Sequence, residues 1–431
     1  MTHEERILGF LQSRFLDCIN PPVGELRRPF INAGGEQYAN ALWDWDSWIS
    51  NLALRQAVAR FGVDDEICSR LEEAERGCIL NFLDHSRMTG FVPVEILPYG
   101  PAWRINHVPG APPPTDTELL GQNPHKPCLA QHAAFIVECQ GGDAEWLAER
   151  FAAIQLFLAY YKSHCCHACG LYFFQNDVKI GVDNDPCTFG RPPRSSGSVY
   201  LNSLLHREFL AAARLAKGFG LEGAANEFAA DAARLAAAIQ EHCWDERDGF
   251  FYSVDFNLEP VGAMSEQWQF HSGRPRSWPC LIQRIGVWSG LLPVWSGVAT
   301  ADQARRVIEE NLADPRTFGA PFGIRSLSSL EKMYSTVATS NPGSWLGPIW
   351  NIVNYFAFRA AVLHGFDDFA RDLCDRTVRL LGEDLERSGT FHEYYEPDTG
   401  APVMTPDFRD WNGLVLNMLA WKEGGDAVVE F

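Results

Sequence analysis

Four short stretches place carboxylates among aromatic rings. Residues 42–48, LWDWDSW, hold three tryptophans and two aspartates in seven positions. Asp is costly in a core and Trp is wasted on a solvated loop. Together they suit a sugar site, where ring faces cover C–H surface and carboxylates accept hydrogen bonds from hydroxyls. The competing reading is a helix capped by Asp46 with its tryptophans in the core. Residues 179–186, KIGVDNDP, set Asp183 and Asp185 between Gly181 and Pro186 on a segment that cannot be regular helix, and an Asx-turn would also explain it. Residues 340–356, SNPGSWLGPIWNIVNYF, run from a Pro- and Gly-punctuated loop into an apolar helix carrying Trp350, Asn351, Asn354 and Tyr355. Asparagines there need partners, from backbone or from a ligand. Residues 391–400, FHEYYEPDTG, put Glu393 and Glu396 among aromatics. Such a pocket disfavours the charged carboxyl, which is how hydrolases keep a working acid or base.

Helices must position these motifs. Within residues 221–244, Phe228, Ala232, Leu235 and Ile239 recur at helical spacing, one apolar stripe of an amphipathic helix. Residues 366–385 behave alike, with Phe369, Leu373, Leu380 and Leu381 set against Asp367, Asp368, Arg371 and Asp375. Residues 350–363, WNIVNYFAFRAAVL, are apolar nearly all round, so that helix is buried on every side. A buried helix followed directly by an amphipathic one is the repeating unit of an α/α toroid. About twelve helical segments are expected, near 3–18, 46–61, 66–85, 127–139, 143–163, 199–217, 221–243, 283–292, 300–312, 346–364, 366–387 and 408–423. They make six pairs, and no linker divides them. The chain thus reads as one all-α domain over 1–431, with long loops near 98–127 and 187–198 of the kind that usually carry function.

Composition narrows the partners. The 431 residues carry 36 Lys+Arg and 55 Asp+Glu, 36 − 55 = −19, which argues against nucleic acid. No stretch reaches the ~18 apolar residues of a membrane span, and residues 1–15, MTHEERILGFLQSRF, have charges where a signal peptide needs an apolar core. A cytoplasmic protein without nucleic-acid or membrane partners is expected. Most of its twelve cysteines then read as small buried hydrophobes. His164, Cys165, Cys166, His167 and Cys169 cluster, but no second ligand pair follows at zinc-site spacing, so no metal is expected.

The order W-D-W-D-S-W, G-V-D-N-D-P, N-P-G-S-W-L-G-P-I-W-N and E-Y-Y-E-P-D-T-G resembles glycoside hydrolase family 63. It is most similar to the short bacterial branch of mannosylglycerate and glucosylglycerate hydrolases, and more distantly to the family 37 trehalases. The resemblance runs from about Gln37 to Trp411. It implies an (α/α)6 barrel and hydrolysis of a small α-glycoside with inversion, by general acid and base and without a cofactor. It implies that Asp183, in G-x-D-N, is the acid, and that Glu393 of E-x-Y, rather than Glu396, is the base. Asp46 matches the W-D-[ST] aspartate that binds a substrate hydroxyl. Trp345, Gly347, Pro348 and Trp350 match the wall of the sugar subsite, and Trp411 the aromatic near the closing helix. The expected sugar-binding set is Tyr38, Trp43, Trp45, Asp46, Gln131, Asp185, Trp345, Gly347, Trp350, Asn351, Tyr355 and Trp411.

The chain departs from the family where relatives show D-N-S-P followed by an Arg–aromatic pair. Here Asn184-Asp185-Pro186 leads into CTFGRPPRSSGS, with Arg191 and Arg194 displaced. An anionic glycerate aglycone calls for a cation, for which Arg104, Lys126, Arg191, Arg194 and Arg207 are candidates. A glucosyl- or mannosylglycerate and a neutral α-linked glucose disaccharide both stay open, as does oligomeric state. A sugar 2-epimerase on the same toroid would need paired histidines, such as His132 and His271. A non-catalytic sugar-binding protein would be expected to lack one of the two carboxylates, and both are present.

Overall fold

The computed structural model describes residues 1–35, 37–102, 113–258, 278–337 and 344–431; Arg104, His271 and positions 340–343 of the third motif lie outside them. The described helices are α1 (His3–Arg14), α2 (Asp44–Phe61), α3 (Asp65–Asp84), the short α4 (Asp116–Leu119), α5 (Leu129–Cys139), the short α6 (Glu145–Ala148) and α7 (Phe151–His164). They continue with α8 (Val199–Gly218), α9 (Glu222–Cys243), α10 (Leu292–Trp295), α11 (Ala301–Arg305), α12 (Asn351–Leu363), α13 (Asp367–Ser388) and α14 (Val415–Lys422). A 3-10 turn, Trp288–Leu291, leads into α10, a π-helical segment, Arg306–Leu312, extends α11, and a second 3-10 turn, Trp411–Leu414, leads into α14.

Burial sorts these helices into two rings. The α2 helix buries residues on every side, from Trp45 and Trp48 to Asn51 and Gln56, and α12 buries an unbroken run from Asn351 to Ala361. By contrast, α9 buries one stripe that includes Phe228, Ala232, Leu235 and Ile239, and α13 one that includes Leu373, Leu380 and Leu381. Inner α5 packs on α8, α8 on α10 and α10 on α12; α12 packs on the last inner helix, which packs back on α2. The remaining step, α2 to α5, is spanned by Asn51 Nδ2 and His132 Nε2 at 3.0 Å. Inner and outer helices alternate along the chain, and the fold is an (α/α)6 barrel around one continuous apolar core reaching from Ile7 to Leu419.

Several expected boundaries moved, and the segment expected at 143–163 is broken into α6 and α7. The segment expected at 283–292 lies at 288–295, because Leu281–Ile282 is a strand paired with Val254–Asp255. The segment expected at 346–364 starts at Asn351, since Pro348 and Gly347 (φ +142°) keep the chain extended; a Cβ on Gly347 would come within 2.5 Å of Tyr334 Cε2. The last begins at Trp411 rather than 408. Among the described residues no helix is long and apolar enough to cross a membrane.

The joins are unequal at the two ends of the barrel. Inner-to-outer joins are the shorter set, at 62–64, 140–150, 219–221, 296–300 and 364–366, whereas outer-to-inner joins run over 15–43, 85–128, 165–198, 244–287, 313–350 and 389–410. The long joins all enter the N-terminal ends of inner helices, where unpaired N–H groups and the helix dipole favour negative charge. That is where the carboxylates collect.

Across the two rings, Glu75 of α3 is fully buried and accepts from Arg55 of α2, with Nε at 2.6 Å and Nη2 at 2.5 Å. Gln140 Nε2 adds a third donor at 2.8 Å. Removing one partner of a buried pair leaves an uncompensated charge. Arg55→Ala should therefore lower unfolding stability by about 3–5 kcal/mol, read as a lower urea midpoint at unchanged slope. A loss below about 1 kcal/mol would show the pair to be no stronger than a surface one.

Candidate active site

The long joins enclose a cavity of about 230 Å³ lined by Tyr38, Trp43, Trp45, Asp46, Lys126, Lys179, Gly181, Asp183, Trp345, Trp350, Glu393 and Trp411. Its floor is the start of α2. Asp44 is buried and accepts from the Lys126 ammonium at 2.6 Å, the Lys126 amide at 2.8 Å and the Trp45 amide at 2.7 Å. The Lys126 ammonium also lies 5.5 Å from the Trp45 ring. Asp46, just along the helix, faces the cavity while Asp410 lies behind it, accepting from Ser50 Oγ at 2.8 Å. Burial pushes the Asp46 carboxyl up to about 7, against the pull of Lys126. Asp410 is also raised, first by burial and then by the Asp46 charge.

Asp183 enters on the loop between α7 and α8. Gly181 (φ +87°) lets that loop pass close, since a Cβ there would meet Lys126 Cε at 2.5 Å and the Trp45 ring at 3.0 Å. Asn184 takes a left-handed conformation (φ +52°), and its Oδ1 accepts from the Trp345 amide at 2.9 Å, tying the loop to the opposite wall. Burial raises the Asp183 carboxyl, Lys126 lowers it and Asp177 raises it; among the described residues no side chain or amide hydrogen-bonds it.

Glu393 is held differently. It sits on the strand His392–Tyr395, antiparallel to Pro402–Pro406. Its Oε1 accepts from the Tyr38 hydroxyl at 3.0 Å and its Oε2 from Thr405 Oγ1 at 2.5 Å. Trp411 Nε1 bonds its backbone carbonyl at 3.0 Å. Burial pushes this carboxyl up to about 7; the two hydroxyls hold it down, and Asp46 and Asp183 add to the rise. Two donors aimed at one carboxylate favour its ionised form and fix its direction.

The wall opposite is aromatic. Trp345 stacks on Trp350 with centroids 4.0 Å apart and planes 7° apart, and Trp350 stacks in turn on Tyr394 at 4.5 Å. Trp350 Nε1 donates to the Ser344 carbonyl at 2.9 Å, so its ring is fixed in its plane as well as on both faces. Trp45, Trp43 and Trp411 complete the lining.

Several residues expected in the site are placed elsewhere. Asp185 closes a turn, accepting from the Cys187 amide at 2.8 Å, with burial raising it to about 6, so the Asx-turn reading holds for it. Gln131 is wholly buried on α5 and donates to the Pro127 and Leu204 carbonyls at 2.6 and 3.1 Å. Asn351 donates to Asn412 Oδ1, and Asn354 Nδ2 bonds Asn351 Oδ1 at 3.3 Å, so the protein itself satisfies these amides. The Tyr355 hydroxyl donates to Glu430 at 2.7 Å, in a separate cavity that it lines with Arg359. Gly347 stays behind the wall, its amide on Ser326 Oγ at 3.0 Å.

The cations are also committed. Arg191 pairs with Asp255 at 2.6 Å, Arg194 donates to Gln175 at 2.6 Å, and Arg207 lies 4.4 Å from the Trp295 ring. Only Lys126 of the described candidates reaches the cavity, and Asp44 holds it. His132 bonds Asn51 and burial lowers it to about 3, away from the cavity lining. Glu396 caps its own turn through the Thr399 amide at 2.7 Å. Among the described residues no three His, Cys, Asp or Glu side chains group to hold a metal ion. Sequence reasoning missed Thr405, Asn184 and Lys179. The last two stand inside the second motif, whereas no signal near Thr405 marks it as a partner of Glu393.

The profile of the mannosylglycerate hydrolase MGH1-like glycoside hydrolase domain matches residues 38–411. The chain is 24% identical over 309 residues to a probable mannosyl-oligosaccharide glucosidase of Schizosaccharomyces pombe, covering 68% of this chain and 34% of that protein. It is 26% identical over 225 residues to the mannosylglycerate hydrolase of Rubrobacter radiotolerans, covering 51% of this chain and 42% of that protein. The chain thus spans less than half the length of either sequence relative. Its fold is similar to that of the GH63 mannosylglycerate hydrolase from Thermus thermophilus in complex with glucose, with a TM-score of 0.66 at 20% identity, over 94% of this chain and 99% of that one. The matched stretch opens at Tyr38 and closes at Trp411, so that it takes in Asp183, Glu393 and the whole cavity wall, and the family 63 resemblance becomes membership: the chain belongs to the MGH1-like glycoside hydrolases.

Proposed function

We propose that this chain is an inverting α-glycosidase acting on a small α-glycoside, with Asp183 as general acid and Glu393 as general base. The observation that carries the reading is the unequal treatment of two carboxyls in one aromatic cavity. Glu393 takes hydroxyl donors on both oxygens, which suits a base that must stay ionised and aimed at a water. Asp183 has no such donors among the described residues, and burial favours its proton, which suits an acid waiting for a leaving oxygen. Asp46 accepts from ring hydroxyls, and the Trp345–Trp350 stack covers a sugar face. Water enters between Glu393 and the anomeric carbon, and both proton transfers are made by side chains, so no cofactor is called for.

The substrate is a glucosyl- or mannosylglycerate or an α-linked glucose disaccharide, in keeping with the names of the relatives. The reading takes the chain as one barrel domain, as its continuous core suggests. It places the enzyme in the cytoplasm, which the twelve free cysteines favour.

Three outcomes test it. In Asp183→Asn the transferable proton is gone, so kcat for an alcohol leaving group should fall about 10²–10⁴-fold. An aryl α-glycoside, whose leaving group needs little protonation, should lose far less. Equal loss on both substrates would make Asp183 a binding residue only.

The working enzyme holds one proton on the acid–base pair, so kcat/KM against pH should be bell-shaped. Glu393 must be ionised to act as the base, so activity should fall as pH drops below about 7, the value to which its carboxyl is pushed up. On the alkaline side Asp183, raised by burial, gives up its proton and the acid is lost. Tyr38→Phe removes a donor that favours ionised Glu393, so the acid limb should move to higher pH. A limb that stays in place would detach Glu393 from the profile.

Room for a water requires the carboxyls to stand about 6.5–9.5 Å apart, against ~5–5.5 Å in a retaining enzyme. Proton NMR in the first minutes of hydrolysis should show the β-anomer appearing before mutarotation. Initial release of the α-anomer would mean a covalent intermediate and end the inverting assignment.

A further inference from the structure

The loop that brings Asp183 to the cavity carries a second residue of the lining, Lys179. Lys179 stands in the left-handed region (φ +57°), a conformation that glycine takes freely and that a side chain makes costly. Such strain persists where the side chain is held, and this one is held twice. Its Nζ donates to Glu95 Oε2 at 2.9 Å and to the Ala102 carbonyl at 3.0 Å. One small sheet supplies both partners. Leu42–Trp43 pairs with Glu95–Leu97, which pairs in turn with Gly100–Pro101, just before Ala102. In that register Trp43 stands directly opposite Glu95, and the Lys179 ammonium lies 5.6 Å from the Trp43 ring. An ammonium has three N–H groups, so one is left beside the cavity. Among the described residues neither it nor the Trp43 indole N–H has a hydrogen-bond partner, and both residues line the cavity.

We propose that Trp43, Glu95 and Lys179 form the leaving-group subsite, built for a neutral, hydroxyl-bearing aglycone such as a second sugar and against one that carries a carboxylate. Its placement rests on Asp183 being the acid, which must stand beside the leaving oxygen. Lys179 comes four residues before Asp183 on the same loop, whereas Tyr38, Thr405 and Trp411 gather on Glu393. The spare N–H donates to an aglycone oxygen, and the Trp43 ring covers aglycone C–H surface.

The preference for a neutral group follows from charge. Glu95 is only 8% exposed and neutralises the ammonium at contact distance. The lining already holds Asp46, Asp183 and Glu393, and its other cation, Lys126, is held by Asp44. An entering carboxylate therefore meets carboxylates, and among the described residues no lining cation has its charge to spare. A hydroxyl needs only the donor. Repulsion of the wrong partner is a cheaper route to specificity than extra attraction for the right one. Lys126, rather than Lys179, is the cation that lowers Asp183, so Lys179 is left to bind rather than to tune the acid.

The test takes three substrates of one sugar on the full chain: an α-linked disaccharide, the glycosylglycerate and the α-glycosyl fluoride, whose leaving group carries no oxygen. The unmodified chain should favour the disaccharide over the glycosylglycerate by about tenfold or more in kcat/KM. Lys179→Met keeps the apolar stem and removes the donor. Its KM for the disaccharide should rise about ten- to hundredfold, the fluoride should lose far less, and the limbs of the pH profile should stay in place. Glu95→Gln lifts the repulsion, so the glycosylglycerate should gain several-fold on the disaccharide. A preference of the unmodified chain for the glycosylglycerate would overturn the subsite. So would equal losses on disaccharide and fluoride in Lys179→Met, or a ratio that Glu95→Gln does not move. Hydrolysis of none of the three would overturn the glycosidase reading itself, and the subsite with it.

Discussion

A buried ammonium against a buried carboxylate, Lys126 on Asp44, is the contact on which the rest of the cavity hangs. It joins the segment before α5 to the first residue of α2, where both would otherwise be frayed helix ends. Asp44 has three donors and so is fully occupied, which leaves Lys126 as a fixed positive centre under the cavity rather than a mobile one. From there it draws down both Asp46 and Asp183, and its stem sets the clearance that only a glycine at 181 can meet. In a barrel whose net charge is −19, one buried cation lets several carboxylates share a small apolar space.

The aromatic wall solves a different problem. A sugar ring presents C–H surface on its faces and hydroxyls on its rim, so a site needs flat apolar area that does not itself move. Stacking Trp345 on Trp350 and Trp350 on Tyr394 fixes three rings by one another, and the Ser344 and Glu393 carbonyls hold two indole N–H groups. Glu393 and the wall are thereby coupled: the Trp411 indole bonds the backbone of Glu393 and packs 5.6 Å from Trp350. A shift of the strand His392–Tyr395 would move the Glu393 carboxyl and the stacking surface together.

The fold was largely legible because burial leaves periodic traces. An inner helix such as 350–363 has no polar face, an outer one such as 366–385 has one, and their alternation names the architecture. The motifs located Asp46, Asp183, Glu393, Trp345 and Trp350, all of which line the cavity. What failed was the assumption that polar residues near a motif serve a ligand. Asp185, Asn351 and Tyr355 turn out to meet a backbone amide, another asparagine and Glu430, partners that lie 2, 61 and 75 positions away. Thr405 was invisible for the converse reason, since only the strand pairing of His392–Tyr395 with Pro402–Pro406 brings it to Glu393. Sequence shows which residues are unlike their surroundings; it does not show who answers them.

The ring closes only when the last inner helix docks on α2. Until then Trp411 is not beside Trp45, from which its ring lies 6.0 Å in the finished barrel, and Tyr38 is not beside Glu393. A chain with five of its six helix pairs in place can bring Trp45 beside Trp345, but it lacks the contacts of Trp411 with Trp45, with Trp350 and with the Glu393 carbonyl. Closure of the circle therefore completes the cavity, because the last helix to dock brings both the final ring of the wall and the indole that holds the Glu393 backbone.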